Sequence, residues 1–436
     1  MTPTDNFLIN KLFKRRQMKY SIMTFLLLTT QFVTAQITWA KSSSNLILTK
    51  TINLFEGTAV GSPSVIDDSD TLKMLYAAGG TDTKGRISYA YSLNGTTWSK
   101  YNNATPVFDV GGTGNWDSHF LDTPDWLKDG TGYKMYYFGD NDNNAAGGAI
   151  GLATSNDGIN WVRSSNQPIL LPGNPGEWDG LYIESPSVLY DGVSYFMWYS
   201  GIDTSYQVKI GVATSPDGIN WTKYAGNPVI DGGSIYSWEG FSIATPTIIK
   251  RNNQFEMWYC GVSYYDILDN NTVDTIKIGY ATSTNGLNWT KHPANPVMST
   301  YDNPYNINES RGPWTPDVVF RPLENKYYMW YETAYGFGLA TANDNFLPTN
   351  QINSSTEIFN LYPNPFSSST TLQTDNFLNN ATLTVYNSFG QTVQQIKNIY
   401  GQTVTLSRDY LPSGLYLVRL TQDNKVIAID KLVVSD

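Results

Sequence analysis

The chain has 436 residues, of which 41% are hydrophobic and 14% aromatic, and it carries a formal net charge of −10. This acidic balance argues against a nucleic-acid partner, whose phosphates require a basic protein face. The single cysteine, Cys260, excludes an intramolecular disulfide, and the length is sufficient for two domains.

Residues 1–35 are typical of a signal peptide. Basic residues at positions 11 to 19 precede an apolar run from 22 to 33, and the small residues that follow predict cleavage after Ala35. Met18 stands directly before the last of these basic residues and is an alternative start. No later stretch reaches the roughly eighteen apolar residues of a transmembrane helix, so no membrane span is predicted.

Two short motifs recur five times and predict the fold. A Ser/Thr-Pro dipeptide is followed, about a dozen residues later, by Met, a bulky residue and Tyr, and four units also carry an Asn-Gly or Asp-Gly turn suited to a type I′ hairpin. Four short strands per unit of about sixty residues are typical of a propeller blade. We therefore predict an all-β protein with a five-bladed β-propeller over residues 36–349. The repeated prolines are Pro63, Pro124, Pro186, Pro246 and Pro316, and the methionines are Met74, Met135, Met197, Met257 and Met329.

The fifth unit lacks the Asp-Gly turn and the Trp after it, so it has only three strands of its own. Residues 46–52 form a lone strand pattern ahead of the first unit. Because an open sheet edge is a liability, we expect residues 46–52 to pair with the strand around residues 338–341 and to close the ring.

Residues 350–357 are rich in Asn, Ser and Thr and predict a linker. The remaining segment, 358–436, contains the motifs Leu361-Tyr362-Pro363-Asn364-Pro365-Phe366 and Leu411-Pro412-Ser413-Gly414-Leu415-Tyr416. These motifs resemble the C-terminal sorting domain of the type IX secretion system of Bacteroidota. The resemblance implies a small C-terminal β-sandwich, recognition by the type IX secretion machinery, and a protein that is secreted or held at the cell surface after crossing the periplasm. An ordinary carbohydrate-binding sandwich is the alternative.

The first strand of each blade lines the central channel, where ligands bind most often in such folds. The residues two positions before each proline, here called the axial positions, should therefore converge. They are Gly61, Asp122, Glu184, Ala244 and Trp314, so only two adjacent blades present a carboxylate. In contrast, all five units have an acid seven positions before the proline, which predicts a structural role in the interblade loops. These acids are Glu56, Asp117, Asp179, Glu239 and Glu309.

The segments Ile183-Glu184-Ser185-Pro186, Leu121-Asp122-Thr123-Pro124 and Trp314-Thr315-Pro316-Asp317 resemble catalytic segments of the five-bladed glycoside hydrolases of the family 43 and family 32 type. The resemblance implies that Glu184 is the general acid and that Asp122 tunes it. It also places Trp314, Asp317 and Tyr182 at the substrate, with Trp314 as a stacking floor for a pyranose. The catalytic base of the family has no counterpart, because Gly61 occupies its position.

Glu332 is the first candidate for a replacement base, since the second strand of a blade returns to the loop-rich face, and Asp140 is the next. A solvated or paired surface acid is the alternative for both. His119 and Arg311 share the position five before the proline, and they are predicted as an acid and a clamp for a sugar carboxylate or sulfate. Loop packing is their structural alternative.

No cofactor is predicted, although the run from Asp140 to Asn144 offers oxygen ligands for calcium as a second interpretation. The leading functional hypothesis is a secreted glycosidase that acts on an extracellular polysaccharide or oligosaccharide by acid/base hydrolysis, with inversion. A non-catalytic glycan-binding propeller that has lost its base is the alternative, favoured by Gly61. A sialidase is the third choice, because Ser155-Asn156-Asp157-Gly158-Ile159-Asn160-Trp161 is one residue shorter than an Asp-box.

Overall fold

The computed structural model describes residues 38–43, 46–68, 71–141, 147–234, 236–263, 276–300, 312–322, 324–344, 359–387, 392–422 and 425–435. Apart from one 3₁₀ turn at Tyr101–Ala104, the regular structure in these ranges is all β. The predicted signal peptide and the predicted linker lie outside them. Within the described ranges, no helix is long and apolar enough to cross a membrane.

Four antiparallel sheets follow one plan, in which the chain runs from an inner strand to an outermost strand of only two residues. Two short strands, β1 (Ala40–Lys41) and β2 (Leu48–Thr49), precede them. The four sheets are β3 (Ala59–Asp68), β4 (Thr71–Gly79), β5 (Gly85–Ser92) and β6 (Ser99–Lys100); β7 (Phe120–Asp129), β8 (Gly132–Asp140), β9 (Ala149–Ser155) and β10 (Val162–Arg163); β11 (Tyr182–Tyr190), β12 (Tyr195–Ile202), β13 (Val208–Ser215) and β14 (Thr222–Lys223); β15 (Ser242–Arg251), β16 (Gln254–Val262), β17 (Ile276–Ser283) and β18 (Thr290–Lys291).

A fifth sheet joins the two ends of this region. It contains β19 (Trp314–Arg321), β20 (Lys326–Thr333) and β21 (Gly336–Asn343), and β21 pairs with both β1 and β2. Lys41 lies opposite Ala340 and Leu48 opposite Phe337. Closure by the N-terminal segment is therefore confirmed, but the assignment of the outermost strand to residues 46–52 is wrong. That strand is β1, and residues 46–52 supply only the two pairs of β2.

A tryptophan motif explains this difference. The outermost strands follow a tryptophan and end on a basic residue that lies opposite an alanine of the third strand, as Lys100 lies opposite Ala90. Trp39-Ala40-Lys41 is a further copy of the motif, placed ahead of the first unit. Trp39 is buried and packs edge-on against Trp258, with ring centroids 6.0 Å apart. The other copies begin at Trp98, Trp161, Trp221 and Trp289.

The inner strands of neighbouring sheets contact one another around a closed ring, β3 to β7, β11, β15, β19 and back to β3. The sheets are packed through clusters that span two neighbours, such as the one that joins Leu75 and Ile87 to Trp126 and Met135. All five repeated methionines are fully buried, in agreement with a core role. Burial of each such side chain stabilises the fold by about 1.5–3 kcal/mol. The architecture is that of a β-propeller.

The repeated acids stabilise the outer parts of the sheets, as predicted. Each described member accepts a hydrogen bond from the tyrosine of the Met motif in its own sheet and pairs with the basic residue of the outermost strand. Asp179, for example, lies 3.1 Å from the hydroxyl of Tyr199 and 2.6 Å from Nζ of Lys223. Glu56, Asp117 and Glu239 make the same two contacts, while Glu309 lies outside the described residues.

The C-terminal segment forms a separate sheet with its own core. Its longest strand, Ser369–Tyr386, pairs with three other strands, and the buried cluster includes Phe366, Leu383, Val418 and Leu432. The strands are β22 (Phe359–Tyr362), β23 (Ser369–Tyr386), β24 (Thr392–Ser407), β25 (Gly414–Gln422) and β26 (Lys425–Val434).

Candidate active site

Each inner strand has a β-bulge at its Ser/Thr-Pro dipeptide. The strand register shifts there in all five sheets, and the pre-proline residues have left-handed φ angles between 41° and 51°. Such angles are sparsely populated by Ser and strained for the β-branched Thr. Because a bulge interrupts the hydrogen-bonding ladder, the N–H groups of these residues are available to side chains. The pre-proline residues are Ser62, Thr123, Ser185, Thr245 and Thr315.

The five Ser/Thr-Pro dipeptides and four of the five residues that follow them line a narrow axial cavity of about 40 Å³. Post-proline side chains here hold the neighbouring sheet in place. Asp317 accepts a hydrogen bond from the backbone N–H of Val65 at 2.8 Å, and Asp125 accepts one from Val188 at 2.8 Å. The structure gives Asp317 a position in the channel wall, and its assignment to substrate binding stays a prediction.

Three of the predicted acids are brought together at this end of the channel; we call Asp122, Glu184 and Glu332 the acidic centre. Asp122 Oδ1 accepts hydrogen bonds from the hydroxyl of Ser62 at 2.7 Å and from the N–H of Thr123 at 2.6 Å. Glu332 Oε2 accepts from the N–H of Ser62 at 3.1 Å and from the hydroxyl of Thr315 at 3.3 Å. Ser62 therefore contacts two members of the centre.

The acids of this centre hold their protons unusually tightly. Burial, and then the negative charge of Asp122, raise the pKa of Glu184 to about 7. The same two causes raise the pKa of Glu332 to about 7, against the opposing effect of its hydrogen bonds. Burial also raises the pKa of Asp122. None of the described hydrogen bonds or ion pairs joins these carboxyls to a lysine or arginine, so their charges are not neutralised within the described site.

Glu332 fills the space left at the first axial position. A Cβ atom at Gly61 would lie 2.5 Å from Oε2 of Glu332, so only glycine leaves room for this carboxyl. In the third sheet, Ser200 occupies the position of Glu332, and its hydroxyl accepts the N–H of Thr245 at 2.9 Å. Glu332 thus makes the same backbone contact through a longer, ionisable side chain. The carboxyl of Glu332, from the neighbouring sheet, therefore lies beside the one axial position at which the sequence has glycine.

The other predicted residues lie around this centre or outside the described chain. His119 and Asp140 meet at the rim, with Nδ1 and Oδ1 3.5 Å apart. The ring of Tyr182 lies 6.2 Å from that of Phe138, and burial, then the charge of Glu184, raise its pKa. Trp314 is partly buried and packs against a core cluster of its sheet. Arg311 lies outside the described residues.

Sequence reasoning missed the pre-proline hydroxyls of Ser62 and Thr315. The signal was present, because a hydroxyl residue precedes the proline in every unit. In the described part of the chain, no group of three or more His, Cys, Asp or Glu side chains is arranged to hold a metal ion. Most of the run from Asp140 to Asn144 lies outside that part, so calcium there stays an untested alternative.

Two family models match parts of the chain. Residues 127–264 match the N-terminal domain of glycosyl hydrolases family 32, and residues 360–435 match the secretion system C-terminal sorting domain. An uncharacterized protein of Mycobacterium tuberculosis is 28% identical over 221 residues, which are 48% of this chain and 70% of that protein. A β-1,2-mannobiose phosphorylase of a Thermoanaerobacter species is 29% identical over 121 residues, 25% of this chain and 39% of the enzyme.

Solved structures share the propeller. A structure from the GH130 family of mannoside phosphorylases, described as containing hydrolases that target β-1,2-mannosidic linkages in Candida mannan, is 18% identical with a TM-score of 0.56, over 72% of this chain and 95% of that one. A glycosyl hydrolase structure from Bacteroides ovatus is 17% identical with a TM-score of 0.54, over 71% of this chain and 94% of that one. At these identities the likeness shows the fold. The chain thus consists of a β-propeller, whose fold is shared with glycoside hydrolase structures, followed by a C-terminal sorting domain, which indicates type IX secretion to the cell surface or the extracellular space.

Proposed function

We propose that this protein is a glycosidase that hydrolyses an extracellular polysaccharide or oligosaccharide at the acidic centre. The match to a glycoside hydrolase family and the shared fold support a glycosidase. The observation that carries the proposal is that the charge of Asp122 acts on both Glu184 and Glu332, with the pKa of both glutamates raised to about 7. Two carboxyls that exchange protons near neutral pH are what acid/base hydrolysis of a glycoside needs.

The surroundings of the two glutamates differ and support different roles. Within the described residues, burial and the like charge of Asp122 act on the Glu184 carboxyl, and both favour its protonated form. Glu184 is therefore the acid that donates a proton to the leaving oxygen. Glu332 accepts two hydrogen bonds, which favour its ionised form, so it is the base that removes a proton from water. In this scheme Asp122 stays ionised and keeps Glu184 protonated.

Inversion at the anomeric carbon remains our expectation, since the resemblance to inverting propeller enzymes implies it. An inverting enzyme needs its carboxyls roughly 6.5–9.5 Å apart so that water fits between base and sugar. Trp314 and Tyr182 are the proposed sugar contacts, because an indole or phenol ring packs against the apolar face of a pyranose.

A glycoside phosphorylase is a second candidate, favoured by the similarity to β-1,2-mannobiose phosphorylase. Phosphorolysis replaces water by a phosphate anion, and three carboxyls without a described cationic partner oppose an anion at this place. A non-catalytic glycan binder is less favoured than the sequence suggested. Its main support was the missing acid at Gly61, and Glu332 fills that space.

The test is release of reducing sugar from a panel of glycans, with β-1,2-mannosides included because of the relatives above, in the presence and absence of phosphate. We expect release without phosphate, and its loss in Glu184→Gln and in Glu332→Gln. Glu177→Gln is the matched control, since Glu177 is an exposed acid of the same propeller whose contacts are with Asn174. Release that requires phosphate would indicate a phosphorylase, and glycan binding without release would indicate a binder.

A further inference from the structure

We propose that Ser62 is a positioning residue that connects Glu332 to Asp122 and sets which member of the acidic centre carries the proton. This inference rests on the proposed function. The hydroxyl of Ser62 donates to Asp122 at 2.7 Å, and the N–H of Ser62 donates to Glu332 at 3.1 Å. One buried residue of the first sheet thereby joins acids of the second and fifth sheets.

The bulge makes this double contact available. With φ at 51°, Ser62 is turned out of the regular strand, so its N–H meets the side chain of Glu332. Gly61 contributes by leaving space for the same carboxyl. The double contact thus depends on the left-handed Ser62, on Gly61 before it and on Glu332 from the neighbouring sheet. The repeated proline motif alone would not produce it.

The corresponding residues of other sheets show that the double contact is not a property of the fold. The hydroxyl of Thr123 accepts the N–H of Ser185 at 3.0 Å, which is a contact between backbone and side chain only. The hydroxyl of Ser185 itself is buried and makes no hydrogen bond within the described structure. Ser62 differs from Thr123 and Ser185 because its N–H and its hydroxyl each donate to the carboxyl of another sheet.

The chemical consequence follows from the charge on Asp122. A hydrogen bond from the Ser62 hydroxyl favours the ionised form of Asp122, and that charge raises the pKa of both Glu184 and Glu332. Loss of the hydroxyl should leave Asp122 protonated to a higher pH and weaken its effect on both glutamates. Among the described residues, Cys260 interacts electrostatically with Glu332 and Tyr182 with Glu184, while Asp125 and Asp317 line the adjoining axial cavity.

The test is the pH dependence of kcat/KM for Ser62→Ala, which removes the hydroxyl and keeps the N–H. We expect both limbs of the profile to move to lower pH by roughly half a unit to one unit, because one change in charge acts on both glutamates. Ser62→Gly should give the same shift, and it suits the left-handed backbone if the alanine variant folds poorly. The double variant Ser62→Ala with Asp122→Asn should have the same pH profile of kcat/KM as Asp122→Asn alone.

Two controls separate this role from a structural one. Ser62→Thr keeps the hydroxyl, and threonine occupies the same bulge position in three sheets with φ between 41° and 50°, so its profile should match the wild type. Ser185→Ala removes a hydroxyl that has no described partner and should leave both limbs in place. If Ser62→Ala and Ser62→Gly hydrolyse the substrate with the pH profile of the wild type, the proposal is wrong.

Carboxyl titration by carbon NMR, without substrate, distinguishes this inference from the proposed function. If the wild type hydrolyses no glycan but the titration of Glu184 moves to lower pH in Ser62→Ala, the linkage stands and the proposed activity is wrong. If the titration of Glu184 is the same in both proteins, the linkage is wrong whatever the activity.

Discussion

Glu184 differs from Glu332 because burial and the charge of Asp122 favour its proton without the opposing hydrogen bonds that Glu332 accepts. Glu184→Gln should therefore lower kcat by several orders of magnitude on glycosides with poor leaving groups, which need the proton most. The loss should be much smaller on activated aryl glycosides. Kinetics on the two substrate types check this, and equal losses on both would remove Glu184 from the role of acid.

Asp122 acts on the other two acids through its charge. Asp122→Asn removes that charge, so the pKa of Glu184 and that of Glu332 should both fall. The limb at which activity declines with rising pH follows Glu184, and it should move to lower pH together with the optimum. Kinetics across pH, with a thermal melt to verify folding, measure this. A profile that stays in place would show that Asp122 does not tune the centre.

A glycine is required at position 61 because any side chain there would occupy the space of the Glu332 carboxyl. In Gly61→Ala the new methyl group would stand 2.5 Å from Oε2 of Glu332 and displace it. A displacement of about 1 Å at a reacting group can cost roughly 100-fold in rate, and we expect a loss of that order in kcat. In a Glu332→Gln background the same change should have little further effect. Additive losses would mean that Gly61 acts by another route.

The sequence predicted the members of the acidic centre but not the contacts between them. Asp122 and Glu184 were found because they break a fivefold pattern, and Glu332 because its strand returns to the same face. The contacts of Ser62 could not be predicted, since they join three sheets and depend on a left-handed backbone at the bulge. The hydrogen bond from Val65 to Asp317 was likewise not predicted, since it joins two sheets at the bulge.

At the scale of elements, closure of the ring depends on two residues near the N-terminus of the described chain. Trp39 is buried against Trp258, and Lys41 donates to the carbonyl of Ser299 at 2.5 Å. The sequence contained the necessary signal, since Trp39-Ala40-Lys41 repeats the motif of the other outermost strands. It was missed because the copy precedes the first unit, about three hundred residues away from the sheet that it completes.

Trp39→Ala tests the importance of this strand. Truncation of a buried tryptophan typically costs about 3–5 kcal/mol, and we expect a loss of this order in the free energy of unfolding. Denaturant unfolding measures it, with Ile52→Ala as the control, because Ile52 belongs to the same N-terminal segment and is 95% exposed. Equal stability of the two variants would show that β1 does not hold the ring closed.

At the scale of the whole molecule, the propeller and the sorting domain have separate hydrophobic cores. Deletion of residues 358–436 should therefore leave the propeller folded and active, while the protein stays in the periplasm of its host. Thermal melts and cell fractionation measure the two outcomes. Loss of cooperative melting in the truncated protein would contradict the predicted boundary at residues 350–357, and its normal secretion would contradict the role of the tail.

The roles of Glu184 and Glu332 as acid and base of one site are tested most directly by the pH dependence of kcat/KM on an activated aryl glycoside. In the wild type, activity should decline on both sides of an optimum. Glu184→Gln should abolish the decline toward high pH, and Glu332→Gln should abolish the decline toward low pH, with formate supplied as an external base to keep the rate measurable. If both variants kept both limbs, the acid/base pair would lie elsewhere in the protein.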